Sequence, residues 1–199
     1  MQNYFGNINH QCLRDFLDRK IKDGVIRKMI DKWLKAGVLE EGRVAYPTEG
    51  TPQGGSISPL LSNIYLHYVL DEWFVQEIQP RLKGKSFIIR FADDFLLGFT
   101  NEEDALRVMK VLPKRMDKYA LSLHPDKTKL IKLDGEQDKA NRTVDFLGFT
   151  HYIDKSFKGK RILKRQTSRK KFRASLLRMK EWIRENRHGQ LEGIVAELN

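Results

Sequence analysis

The chain has 199 residues, with 37 Lys/Arg against 26 Asp/Glu, a formal net charge of +11, and hydrophobic and charged fractions of 40% and 32%. That is enough chain for one domain, or one and a part, with a sizeable core, and the composition excludes a disordered protein. No apolar run approaches the roughly 18 residues that span a bilayer, the start MQNYFGNINHQ lacks a basic-then-apolar leader, and the single cysteine, Cys12, rules out an internal disulfide or a cysteine-rich zinc site; a cytoplasmic protein is expected.

Residues 8–35 carry Leu13, Phe16, Leu17, Ile21 and Val25 at three- and four-residue steps, which predicts helix. Gly24 is placed to interrupt it, and Ile26, Ile30 and Trp33 continue in a second helix that Gly37 can stop. Residues 40–57 are rich in Gly, Pro and Thr and read as loop, with at most a short strand at Val44–Tyr46. Ser58-Pro59 predicts a helix start, with serine as N-cap, and the helix should run through LLSNIYLHYVLDEWF. Residues 86–91 and 95–100 are aromatic and β-branched and closely joined, hence a hairpin.

Helical spacing returns over 102–120, in Ala105, Val108, Met109, Leu112 and Met116. A turn is expected at His124-Pro125-Asp126, then a strand in KTKLIKL, then a hairpin formed by 143–153 and 160–165 around Lys158-Gly159. From about Thr167 to Asn186 the pattern is helical again. Helices interspersed with antiparallel hairpins predict an α+β fold, a small antiparallel sheet with helices packed on one face.

The positive charge is local. Residues 155–187 hold 14 Lys/Arg and 2 Asp/Glu, so the rest of the chain is near neutral. Such a cluster favours a polyanion, most commonly nucleic acid, over a merely solvated face. On the last helix Phe172, Leu176, Met179 and Ile183 form one stripe, and Arg173, Lys180, Arg184 and Arg187 fall about 100° away. The stripe should dock on the body, leaving these cations, with Lys170 and Lys171, for phosphates.

Two motifs carry the chemistry. In FIIRFADDFLLGF, residues 87–99, Asp93 and Asp94 sit between two apolar strands. Adjacent carboxylates repel, and a divalent cation relieves this; an Asp-Asp pair also suits an ordinary polar turn. In GTPQGGSISP, residues 50–59, Gly54 and Gly55 allow close backbone approach, Gln53 can donate and accept, and a helix N-terminus follows.

Taken together, GTPQGGSISPLLSNIYLHYVLDEW and RFADD resemble the palm of a reverse transcriptase, most closely those encoded by group II introns. LHPDKTKLI resembles the family's next palm motif, FLGF at 146–149 resembles the turn that grips the primer, and the basic segment resembles the start of the thumb. The resemblance implies a palm over 1–153, with thumb from 154 to 199. It implies that Asp93 is the principal metal-binding carboxylate and Asp94 its neighbour, on a two-ion Mg²⁺ site. Phe91 stands where the family usually has tyrosine. Gln53, with Pro52, Gly54 and Gly55, would contact the template–nucleotide pair, and Lys127 would lie near the triphosphate. Leu147 and Gly148 would grip the primer.

YFGNINH resembles the first palm motif, with Phe5 as the aromatic that packs under the incoming sugar. Counting back from Phe5 places that motif's aspartate one position before Met1. The resemblance implies an RNA-directed DNA polymerase core whose partners are RNA template, RNA–DNA hybrid, dNTP and intron RNA, and it leaves open whether fingers or maturase segments are supplied in trans. This chain by itself is expected to extend a primer poorly. The alternative is a non-catalytic RNA-binding fragment or a degenerate relic.

Overall fold

The structure is a computed structural model that describes residues 1, 4–35, 38–40, 43–45, 50, 57–133 and 142–187. It divides into two compact units, Met1–Leu130 and Ile131–Asn199.

In the first unit the predicted helical stretch is two helices, α1 (His10–Asp18) and α2 (Gly24–Leu34). Asn9 caps the start of α1, accepting from Cys12 N–H, and after the break Asp23 caps α2, accepting from Val25 and Ile26 N–H. A short ladder pairs β1 (Val38–Glu40) with β2 (Arg43–Ala45). The next helix, α3 (Ser58–Leu66), has Ile57 rather than Ser58 at its N-cap, with no side-chain cap there; Ser58 is itself helical and buried. The helix then widens into π-helical turns at His67–Glu72 and Phe74–Ile78, a departure from the uniform helix that sequence suggests. Arg115 donates to the carbonyls of Val69 (2.9 Å) and Tyr68 (3.3 Å) where the helix has widened.

The predicted hairpin is β3 (Ser86–Phe91) against β4 (Asp94–Phe99), with Phe91 opposite Asp94. Helix α4 (Glu102–Asp117) follows, capped by Asn101, with Pro113 inside it. The core lies where α1, α2, the long α3 segment and α4 meet. Leu13, Leu34, Tyr65, Leu70, Phe74 and Met116 are fully buried. The rings of Phe16 and Tyr68 stack at 4.9 Å. Burial of this apolar surface is the main force holding the helices together.

Residues 128–133 of the KTKLIKL stretch are not a strand: they run without regular structure after a turn in which Lys127 and Thr128 N–H donate to the His124 carbonyl. A strand needs a ladder partner, and this segment finds none among the described residues.

The second unit holds a three-stranded antiparallel sheet, β5 (Thr143–Phe146), β6 (Phe149–Lys155) and β7 (Arg161–Thr167), in that order. The stretch 143–153 is therefore two strands turning at Leu147-Gly148, not one arm of a single hairpin. Helix α5 (Arg169–Asn186) follows, capped by Ser168, whose side chain accepts from Lys171 N–H. No described residue of α5 is buried. Phe172, Leu176, Met179 and Ile183 are 44–57% exposed. Among the described residues no helix is long and apolar enough to cross a membrane.

Candidate nucleotidyl-transfer site

The Asp-Asp pair sits at the tip of the β3–β4 hairpin. Ala92 and Asp93 form the two-residue turn, and Asp94 opens β4. Ala92 has φ 52°, the left-handed region that a two-residue hairpin turn uses and that glycine adopts more easily. Asp93 is half-buried and Asp94 exposed, so the two neighbours differ in access to water. The Met1 nitrogen lies 3.4 Å from Asp93 Oδ2. Phe91 is 64% exposed and shares the outer face of β3 with Phe87 and Ile89.

Phe5 starts a short 3-10 turn, Phe5–Asn7, with its ring 5.4 Å from that of Tyr4. Tyr4 is buried and its hydroxyl donates to the Ser62 carbonyl, tying this turn to α3. Burial pushes the Tyr4 phenol far above its ordinary value, with the Asp93 charge adding to the effect and Arg90 opposing it. The base of the glycine-rich loop is pinned to the same turn. Gly50 N–H donates to the Ile8 carbonyl at 2.8 Å. Gly50 has φ +83°, and a Cβ there would stand 2.7 Å from the Phe5 carbonyl, so only glycine fits. The remaining loop residues proposed for template and nucleotide contact, Pro52, Gln53, Gly54 and Gly55, lie outside the described residues.

Hairpin tip, Phe5 turn and loop base thus belong to one unit, built on α3. Lys127 is exposed in its turn, and no hydrogen bond or ion pair joins its ammonium to the hairpin tip among the described residues. Sequence reasoning missed Arg90, Asp71 and Asn63. Arg90 Nε and Nη2 donate to the two oxygens of Asp71 at 2.8 and 2.6 Å, and Nη1 donates to Asn63 Oδ1 at 2.8 Å. The only local signal was one arginine at an inward position of an apolar strand.

In the second unit the structure brings together two regions the sequence named separately. Leu147 and Gly148, at φ 52° and 82°, form the tight turn between β5 and β6. The Gly148 carbonyl accepts Ser168 N–H at 3.0 Å, and a Cβ on Gly148 would meet the Lys171 side chain at 2.6 Å. The turn therefore lies under the first turn of α5. Lys170, Lys171, Arg173, Lys180 and Arg184 on that helix, and Arg187 at its C-cap, are all exposed. Nearby, Lys164 donates to Asp154 at 2.8 Å, a hydrogen bond that raises the Lys164 ammonium above its ordinary value.

Residues 1–151 match the family described as reverse transcriptase (RNA-dependent DNA polymerase). The chain belongs to the reverse transcriptase family. Among its relatives is the group II intron-encoded protein LtrA of Lactococcus lactis subsp. cremoris, 49% identical over 72 residues, 36% of this chain and 12% of the relative. An uncharacterized 91 kDa protein in the cob intron of Schizosaccharomyces pombe is 44% identical over 86 residues, 43% of this chain and 10% of the relative. Protein YkfC of Escherichia coli is 32% identical over 162 residues, 65% of this chain and 41% of the relative. This reverse transcriptase chain thus spans between a tenth and two fifths of the length of these relatives.

Reverse transcriptases as a family use a divalent metal. The donors here suit a hard cation: two carboxylates at an exposed tip, and magnesium commonly takes only one or two carboxylates with water and phosphate oxygens. Among the described residues no group of three or more His, Cys, Asp or Glu gathers around one point.

Proposed function

We propose that this chain is the palm and the start of the thumb of a group II intron-type RNA-directed DNA polymerase, with palm over 1–153 and thumb over 154–199. The observation that carries the reading is the Asp93-Asp94 pair at the tip of the β3–β4 hairpin, in the same unit as the Phe5 turn and the base of the glycine-rich loop.

In this reading Asp93 is the principal carboxylate and Asp94 its neighbour. Bound magnesium would stabilise the attacking and leaving oxygens of nucleotidyl transfer. Phe5 packs beneath the incoming sugar, and Pro52, Gln53, Gly54 and Gly55 meet the template–nucleotide pair. Lys127 serves the triphosphate. Leu147 and Gly148 hold the primer, while Lys170, Lys171, Arg173, Lys180, Arg184 and Arg187 take phosphates of an RNA–DNA hybrid or intron RNA. A hybrid suits such contacts, because A-like duplexes are met through backbone and shape.

The test joins to Met1 the segment of a group II intron-encoded reverse transcriptase that ends at the aspartate of the first palm motif. The joined protein should extend a DNA primer on an RNA template with Mg²⁺, and Asp93→Asn should abolish extension. Extension that survives Asp93→Asn refutes the assignment. Hybrid binding without extension in the joined protein favours the non-catalytic RNA-binding reading instead.

A further inference from the structure

Arg90 does more than close an ion pair. Along β3 the inner face alternates Ser86, Ile88 and Arg90, which points the guanidinium toward α3. Two of its nitrogens are taken by Asp71 in a bidentate fork. The third, Nη1, donates both to Asn63 Oδ1 at 2.8 Å and to the carbonyl of Ala92 at 3.0 Å. Ala92 is the left-handed residue of the Asp-Asp turn. A non-glycine residue holds that conformation only when its surroundings enforce it, and Arg90 is the side chain bonded to its carbonyl.

The anchor is itself unusual. Asp71 lies in the π-helical turn His67–Glu72. The extra residue per turn shifts the direction of every later side chain, and such turns often occur at functional sites. His67 Nδ1 also faces Asp71, at 3.7 Å. The arginine side chain is only 13% exposed and Asp71 24%, so water competes weakly for the fork.

We propose that Arg90, braced by Asp71 and Asn63, is a positioning residue that holds the Ala92-Asp93 turn in the conformation presenting Asp93. The proposal rests on the reading of Asp93 as the metal-holding carboxylate. It separates from a simple electrostatic role by sign. A nearby cation weakens metal binding through repulsion, so removing its influence should strengthen binding; a lost brace should weaken it. Lysine keeps the charge but has no planar fork to reach three acceptors.

The 199-residue chain is measured in two ways: amide hydrogen exchange at Asp93 and Asp94 by NMR, and Mn²⁺ affinity by electron paramagnetic resonance. In Arg90→Lys, exchange should quicken about tenfold and Mn²⁺ should bind about fivefold more weakly. Adding Ala92→Gly to Arg90→Lys should restore most of both losses, because glycine adopts positive φ unaided. Wild-type exchange and affinity in folded Arg90→Lys, or no restoration by Ala92→Gly, overturns the proposal. If Arg90→Lys does not fold, Asp71→Glu keeps the charge, displaces the fork by one methylene, and is judged by the same two measurements. Equal Mn²⁺ affinity in wild type and Asp93→Asn refutes the metal reading instead. Exchange at the turn then decides the role of Arg90 on its own.

Discussion

Gly148→Ala separates two effects at the turn beneath α5. The first is backbone strain: Gly148 has φ +82°, and an alanine in the left-handed region costs about 1–2 kcal/mol. The second is crowding. The new Cβ would stand 2.6 Å from Lys171 Cδ and Cε and 2.7 Å from Nζ. That is well inside van der Waals contact, yet the end of a lysine is flexible and swings aside, so this adds only about 0.5 kcal/mol. Urea unfolding followed by Trp182 fluorescence, in a background where Trp33 and Trp73 are replaced by phenylalanine so that the signal comes from α5, should show a total loss of about 1.5–2.5 kcal/mol. In a Lys171→Ala background the crowding vanishes and only the strain should remain. The same cycle can be read as binding to an RNA–DNA hybrid at several salt concentrations. Lys171→Ala should reduce the slope of log affinity against log salt by about 0.7–0.9, one phosphate contact. Gly148→Ala, which only displaces the lysine, should reduce it by less. A Gly148→Ala protein as stable as wild type refutes the positive-φ turn, and an unchanged salt slope in Lys171→Ala refutes its phosphate contact.

Three further outcomes are expected. Asp104 is 1% exposed, and its Oδ2 accepts N–H groups from Lys83 at 2.8 Å and Gly84 at 2.9 Å. Asp104→Ala leaves both donors without their partner and should cost about 2–4 kcal/mol in urea unfolding. Gly50→Ala places its Cβ 2.7–2.9 Å from backbone atoms of Phe5 and Gly6. Backbone cannot swing aside, so the melting temperature should fall much further than for Gly148→Ala. Burial raises the phenols of Tyr4 and Tyr65 far above their usual range. In the unfolded chain they ionise near pH 10 while the folded chain keeps them neutral. The stability they contribute is therefore intact at neutral pH and falls above about pH 10, by about 1.4 kcal/mol per pH unit for each. Denaturant midpoints measured in Tyr65→Phe should fall less steeply over the same alkaline range.

The hairpin was legible because its signal is local. Two β-branched and aromatic runs flanking a two-residue turn leave little choice of pairing, and the register follows from the turn. The caps at Asn9, Asp23 and Asn101 are local too, but the sequence reading named only Ser58, which lies inside its helix. KTKLIKL failed for the opposite reason: its alternation suits a strand, but a strand exists only where a partner offers its ladder. The π-helical turns of the α3 segment keep apolar residues inward, as an ordinary helix does, so periodicity alone does not reveal them. Arg90 and Asp71 are 19 residues apart and meet only once the hairpin folds over α3. For α5, periodicity found the stripe of Phe172, Leu176, Met179 and Ile183, but a stripe states which residues share a face, not what covers it.

Arg115 joins two of these features. Its guanidinium donates to the Val69 and Tyr68 carbonyls while lying over the rings of Tyr119, at 4.6 Å, and Trp73, at 5.4 Å. Hydrophobic burial is non-directional and does not on its own name which carbonyls α4 must face. A planar cation wedged between aromatic rings and joined to two particular carbonyls permits a single registry. The two helices behave like gear teeth locked by a pin, and the hairpin that springs from between them inherits that fixed origin.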